Sequence, residues 1–333
     1  MKKITILGAG SWGSALANLL SLNNHQVTLW DEYPDVLESI RANKSHKNLP
    51  GLIINPDIII LEANLEKAVS NSEYLITVIP AQFYESFLIN IKPFLTFDKK
   101  VINCSKGIDV KTTKLISELF FDINKEFPIS NFTVLSGPSY ATEVANSQPT
   151  AVVVAGSNEL VTKEIQNLFS NSWFRVYTNL DVIGVELAGA VKNVIAIAAG
   201  ICFGIGYGVN ASAALITRGN AEIVKLGIAI GGQVKTFHGL AGFGDLLLTA
   251  TSEKSRNFSF GKLIGEGISL DEAKKSIGMV IEGIETVKST RQLAHKYNIE
   301  MPIVESVFRV IFEGLSPENE VKKLMLRSLK AEC

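Results

Sequence analysis

Lys192 and Asn193 are the only strongly polar residues in the apolar run that follows Glu186. On a helix, residues three and four apart share a face. Lys192 therefore stands over Ala188 and Gly189, whose small side chains leave room for another molecule to approach it. An ammonium in apolar company loses hydration, which brings its pKa toward the working range of an acid–base catalyst. The competing reading is a lysine whose stem packs while its head snorkels to water. Further along, the glycine-dense stretch 239–244 delivers a single carboxylate, Asp245, into the apolar run Leu246-Leu247-Leu248-Thr249. Ser255-Arg256-Asn257 follows, and with Asp245 it offers a planar fork for phosphate plus neutral hydrogen-bonding partners. Taken singly, Asp245 reads as the cap of a helix starting at Leu246, and Arg256 as a surface arginine. A third turn, 278–283, carries Val280 and Glu282.

A different chemistry is written at the N-terminus. The strand-like run Lys3–Leu7 leads into Gly8-Ala9-Gly10-Ser11-Trp12-Gly13 and then a helical run over 14–22. This is the Gly-x-Gly-x-x-Gly turn of a dinucleotide site. Gly8 permits the tight turn, Gly10 lets the backbone approach a pyrophosphate, and Gly13 lets helix and strand pack closely. The phosphates belong at the helix N-terminus, where free N–H groups and the dipole favour anions. Asp31 and Glu32 follow the second strand, about 20 residues on, where an acidic side chain holds the adenosine ribose. A carboxylate accepts from a 2′-hydroxyl and repels a 2′-phosphate, so the expected preference is NAD over NADP. The bland alternative is a solvated acidic turn.

These residues need a scaffold. Strand patterns fall at Lys3–Leu7, Gln26–Trp30, 58–61, 73–79, 100–104, 132–135, 150–155 and 174–177, with helical runs expected at 82–91 and 112–120. From residue 181 the patterning turns helical, over 181–199, 211–230, 270–275, 284–297, 302–313 and 317–329. The expected fold is α/β: an N-terminal Rossmann-type, doubly wound, mainly parallel sheet (residues 1–180) and a C-terminal all-α substrate and catalytic domain (residues 181–333). Parallel strands place ligands at their carboxyl ends, which brings Gly8–Gly13, Pro80, Ser105-Lys106 and Gly137–Ser139 to one crevice.

With 333 residues the chain is long enough for two domains. A formal net charge of -1 gives no electrostatic case for nucleic acid or an anionic membrane as partner. Cys104, Cys202 and Cys333 lack Cys-x-x-Cys spacing and read as free thiols in a reducing compartment. His25, His46, His238 and His295 are scattered, so no metal site is expected. The run 4–7 is too short for a signal peptide. The run 187–208 approaches a membrane span, but Lys192, Asn193 and its glycines favour a buried helix followed by a turn. The expected location is cytoplasmic.

At this point the sequence resembles the soluble bacterial NAD(P)-dependent glycerol-3-phosphate dehydrogenases, over essentially its whole length. The resemblance is carried by Gly8–Gly13, Ser105-Lys106-Gly107, Gly137-Pro138-Ser139, Glu186-Leu187-x-Gly189-x-x-Lys192-Asn193, Gly239–Asp245, Ser255-Arg256-Asn257 and Met301-Pro302-Ile303, in that order. It implies reversible hydride transfer between NAD(P)H and dihydroxyacetone phosphate, giving sn-glycerol 3-phosphate for phospholipid synthesis, in a cytoplasmic homodimer. By that likeness Lys192 is the general acid and base, and Asp245 holds it and the substrate. Lys106, Gly137, Ser139, Ser255, Arg256 and Asn257 would line the substrate. Ser11, Trp12, Lys106, Ala141, Arg256, Val280 and Glu282 would touch the dinucleotide. Many bacterial relatives carry a basic residue where this chain has Asp31-Glu32-Tyr33, which again points to NAD. The rival readings are a β-hydroxyacid or 6-phosphogluconate dehydrogenase, whose asparagine falls a turn later than Asn193, and a catalytically idle dinucleotide sensor.

Overall fold

The computed structural model describes residues 1–49, 51–55, 57–329 and 331–332. Cys104 and Cys202 are buried free thiols, while Cys333 lies outside the described residues. Among the described residues eight strands form one sheet: β1 Lys3–Leu7, β2 Gln26–Trp30, β3 Ile59–Leu61, β4 Tyr74–Thr77, β5 Lys100–Asn103, β6 Phe132–Ser136, β7 Thr150–Gly156 and β8 Phe174–Asn179. Their order is β3-β2-β1-β4-β5-β6-β7-β8. Every neighbouring pair is parallel except β6 and β7.

Both faces of this sheet are covered, as a parallel sheet requires. Successive strand residues point to opposite faces, and the two cores divide accordingly. Ile4, Ile6, Tyr74, Ile76, Ile102, Leu135, Val152 and Val154 enter one. Leu7, Leu75, Val101, Val134, Val153 and Ala155 enter the other. The all-helical C-terminal domain has a third core, built around the helix Val182–Ile205. That helix is long and apolar enough to cross a membrane, but 78% of its apolar window is buried inside the fold. It stops where Gly206 turns into the left-handed region at φ 95°, as the buried-helix reading expected.

Several element boundaries differ from expectation for local reasons. The helix expected over 112–120 runs Ile116–Ile123, because Asp109 accepts the backbone N–H and hydroxyl of Thr112 at 2.7 Å each and holds a turn there. The 82–91 helix is a 3₁₀ turn, Ala81–Phe83, followed by Tyr84–Ile91. The helix Glu159–Phe169 was not expected; Asn158 caps it, accepting from Leu160 and Val161 N–H groups. Arg256–Gly265, to which the sequence reading assigned no element, is a helix capped by Ser255.

The Arg256–Gly265 helix packs against Val182–Ile205 through glycines spaced four apart on both partners. A Cβ at Gly200 would lie 2.0 Å from the Phe258 carbonyl oxygen, and one at Gly204 would lie 2.2 Å from that of Lys262. Gly261 and Gly265 meet the Ile197 and Ile201 carbonyls at 2.1 and 2.3 Å. Backbone meets backbone here, so an added methyl has no flexible neighbour to displace. Gly200→Ala should therefore cost about 1–3 kcal/mol, the usual range for overpacking, read as a lower urea midpoint. An unchanged midpoint would mean that the two helices do not approach this closely.

Candidate active site

Three charged side chains from three parts of the chain converge. Lys106 lies just past β5, Lys192 sits midway along Val182–Ile205, and Asp245 opens the short helix Asp245–Ala250. Lys106 Nζ donates to Asp245 Oδ2 at 2.7 Å, and Lys192 Nζ donates to Asp245 Oδ1. Lys192 also donates to Thr249 Oγ1 at 2.8 Å, and that hydroxyl donates to the Asp245 carbonyl at 2.6 Å. Sequence reading gave Thr249 no role. Its signal was there, four residues after Asp245 and so on the same helix face.

The Lys192 side chain is 7% exposed and that of Asp245 1%, so Lys192 does not snorkel. Burial lowers its pKa from the usual lysine range; Asp245 opposes that shift and the like charge of Lys106 adds to it. Burial alone would raise Asp245, but the two ammonium groups hold it below the carboxylate range. For Lys106 the burial penalty is outweighed by Asp245, and its pKa is raised.

Asp245 is not the helix cap that its position suggested. The turn Leu240–Gly244, a single π-helical turn, runs directly into Asp245–Ala250 with Gly244 in the cap position. The carboxylate is thereby free for the two lysines. The space expected beside Gly189 is also taken, and by this chain itself. A Cβ there would meet Ser136 Oγ at 2.9 Å and the Lys106 stem at 3.8 Å. The small residue serves helix–sheet docking, and the cavity that borders Lys106 is lined by neither Lys192 nor Asp245. That cavity, of about 350 Å³, lies between Ala81, Gln82 and 108–111 on one side and Glu282, Glu285 and Thr286 on the other. A larger groove, about 590 Å³, runs along the helices at 291–309 and includes none of the expected site residues. Two of its cations, Arg291 and Arg309, are already paired with Glu305.

The glycine turn has the form a dinucleotide needs. Gly8 has φ 114°, and a Cβ there would strike the Val78 carbonyl oxygen at 2.5 Å. One on Gly13 would strike the Gly8 carbonyl oxygen at 1.9 Å, whereas Gly10 faces open space. The helix Ser11–Leu22 starts from Gly10 with no side-chain cap, so its first N–H groups are available to an anion. Trp12 packs partly against the core beneath. Asp31 does more than was expected: Oδ2 accepts the Ala9 N–H at 2.7 Å and Oδ1 the Tyr33 N–H at 3.0 Å. It braces the glycine turn, while Glu32 beside it is exposed.

The remaining expected residues fall into two groups. Gly137 (φ 150°), Ser139 and Ala141 follow β6, with Ser139 Oγ donating to the Gly137 carbonyl at 3.1 Å. Arg256, Asn257, Val280 and Glu282 gather at the other rim. Arg256 is exposed and donates to the Val280 carbonyl at 2.7 Å, Asn257 accepts the Gly283 N–H at 2.9 Å, and Asn193 donates to Glu282 at 3.3 Å. Ser255 is buried, and its hydroxyl accepts the Phe258 N–H at 3.3 Å. Its hydroxyl thus serves as a helix cap, a role the sequence reading did not give it. Tyr140, also missed, donates to the Leu248 carbonyl at 2.9 Å and ties the two domains together. Among the described residues no group of three or more His, Cys, Asp or Glu side chains could hold a metal.

Comparison with known proteins gives the family. Residues 3–162 match the family model for the NAD-dependent glycerol-3-phosphate dehydrogenase N-terminus, and residues 181–322 that for its C-terminus. The chain is 45% identical over 331 residues to a glycerol-3-phosphate dehydrogenase (NAD(P)+) of Carboxydothermus hydrogenoformans, covering 99% of this chain and 98% of that one. It is 44% identical over 332 residues to the protein of that name from Geobacter sp., covering 99% of each. A crystal structure of glycerol-3-phosphate dehydrogenase from Coxiella burnetii superposes with a TM-score of 0.93 at 38% identity, covering 98% of this chain and 99% of that one.

Proposed function

The chain belongs to the NAD-dependent glycerol-3-phosphate dehydrogenase family, and we propose that it reduces dihydroxyacetone phosphate to sn-glycerol 3-phosphate at the Lys106–Asp245–Lys192 cluster. It is an oxidoreductase that uses NAD or NADP. The observation that carries the residue roles is the buried Lys192 ammonium, oriented by Asp245 and Thr249 and flanked by a second cation.

Bound dihydronicotinamide supplies a hydride to C2 of the ketone. As the C=O electron pair moves onto oxygen, Lys192 stabilises the growing negative charge and then gives that oxygen its proton. The products are the alcohol and the oxidised cofactor, and Lys192 is left neutral. In the reverse direction the neutral amine takes the hydroxyl proton. Asp245 and Thr249 keep the lysine aimed, and Lys106 adds positive charge for the phosphate and the carbonyl oxygen. Arg256 offers its planar fork to the substrate phosphate, with Ser139 and Asn257 as neutral partners. The first N–H groups of Ser11–Leu22 receive the pyrophosphate.

We place the domain boundary between residues 180 and 181. β8 ends at Asn179, and Asp181 accepts the N–H groups of Gly184 and Gln233 at 2.8 Å each, which ties it to the helical side. A cytoplasmic homodimer that supplies phospholipid synthesis is supported by the family resemblance alone. Sedimentation at micromolar concentration tests the dimer, and a monomer throughout would overturn it.

The cofactor preference follows from Asp31 and Glu32. Asp31 already has both oxygens on backbone N–H groups, and exposed Glu32 would face a 2′-phosphate with like charge. NADH should exceed NADPH in kcat/KM by about tenfold or more, the scale of one close charge repulsion near a surface. Loss of absorbance at 340 nm on adding dihydroxyacetone phosphate reads both cofactors. A ratio at or below one would overturn the preference, and no turnover with either would overturn the activity.

A further inference from the structure

Glu186 is a buried carboxylate that the chemistry above does not use. It lies 5% exposed on the same helix as Lys192, six residues earlier. Every contact it makes is with a donor: the Ser117 N–H at 3.1 and 3.3 Å, the Ser117 hydroxyl, and Asn103 Nδ2 at 3.3 Å. Burial pushes its pKa up to about 7, against the pull of those donors. The titratable groups around it are Glu118, in the first turn of Ile116–Ile123, and Tyr84, from the helix Tyr84–Ile91.

The Glu186 oxygens act as acceptors toward all of these groups, so they fix which end of the Asn103 amide faces them. With the NH₂ turned toward Glu186, Asn103 Oδ1 is left to accept the Ser105 N–H at 3.0 Å and the Thr77 hydroxyl at 3.2 Å. A flipped amide would set oxygen against carboxylate and NH₂ against N–H. Ser105 continues the chain of contacts, since its hydroxyl accepts the Ile79 N–H at 3.0 Å. The next residue is Lys106, whose ammonium rests on Asp245. One helix therefore carries both Lys192 and the group that sets the turn bearing the second lysine.

We propose that Glu186 is a positioning residue for the reaction, acting through Asn103 to hold the Ser105–Lys106–Gly107 turn so that Lys106 stays beside Asp245 and Lys192. This rests on Lys192 being the acid–base group. Glu186→Leu removes the acceptor, and displacing a catalytic group by about 1 Å costs on the order of 10²-fold. The loss should fall mainly on kcat/KM for dihydroxyacetone phosphate. As Lys106 recedes, Lys192 loses a like-charged neighbour, so the basic limb of the reduction pH profile should move up by about one unit. Glu186→Gln keeps an acceptor for Asn103 and should stay within about threefold of wild type.

The test is the pH dependence of kcat/KM for Glu186→Leu, Asn103→Ala and the double variant, each normalised to folded, NADH-binding enzyme. The double variant should be no worse than the more impaired single one, because both cut the same connection. Multiplying losses, or an unmoved limb in the single variants, would overturn the proposal. Should Glu186→Leu not fold, Asn103→Ala carries the limb test alone, since it leaves the Ser117 contacts in place. Lys192→Met is run alongside: if it stays active the acid–base role of Lys192, on which this inference rests, fails, and if it is inactive while the limbs are unmoved only the present inference fails.

Discussion

Lys192→Met should lose turnover by at least about 10²- to 10⁴-fold, the usual contribution of a positioned proton donor, while still binding NADH. The lysine stands on the helical domain, away from the glycine turn at Gly8–Gly13, so cofactor affinity should change by no more than a few fold. Methionine keeps most of the stem volume and leaves Asp245 paired with Lys106. The measurement is steady-state reduction of dihydroxyacetone phosphate beside a fluorescence titration with NADH. Activity within tenfold of wild type would move the proton-donor role to Lys106.

The pH profile of the wild type bears on the same group. With Lys192 as the proposed acid, ketone reduction needs the ammonium, so its rate should fall as pH rises through the Lys192 pKa, which burial and Lys106 hold below the ordinary lysine range. Oxidation of glycerol 3-phosphate needs the neutral amine, so its rate falls as pH drops through the same value. The two directions should mirror each other about one pKa.

Asp245→Asn should be the most destabilising polar substitution in the site, at about 3–5 kcal/mol, because it leaves buried cations without their counter-ion. Asp245 has a depressed folded pKa. Its stabilisation is therefore present above the unfolded carboxyl value, near 3.9, and is lost as pH falls through the lower folded value. The variant depends on pH in the same direction but in a higher window. Without the carboxylate, both lysines release protons more readily when folded than when unfolded, so the unfolded chain binds more protons and stability rises with pH. Urea unfolding of both proteins at pH 7 and pH 9 should show the gap narrowing at the higher pH. A constant or widening gap would mean that Asp245 is not the charge that makes the lysines' burial tolerable.

Chain-local features were legible before folding was considered. Gly8, Gly10 and Gly13 announce the dinucleotide turn because its requirements are local: a positive φ at Gly8 and close approach at Gly13. Strand alternation gave the sheet to within one or two residues at most ends, and the stripe around Lys192 marked it as buried. The Ile116–Ile123 start was missed because Asp109 spends its carboxylate on a turn, a choice between two local hydrogen-bonding options that composition does not resolve.

The sequence by itself determined which side chains are available: two lysines, one aspartate and an arginine among glycine turns, in the order of one dehydrogenase family. Tertiary structure decided how they are shared. Asp245 could as well have capped a helix, and only the arrival of Lys106 from residue 106 and Lys192 from residue 192 makes it a counter-ion. Asp31 braces Ala9, Thr249 receives Lys192 from another helix, and Glu186 gains partners that no local pattern names. The physical reason is that burial makes every unpaired donor, acceptor or charge costly. Each polar group must therefore take a partner within reach, and reach is set by helix and strand packing between segments distant in the chain, 139 residues apart for Lys106 and Asp245.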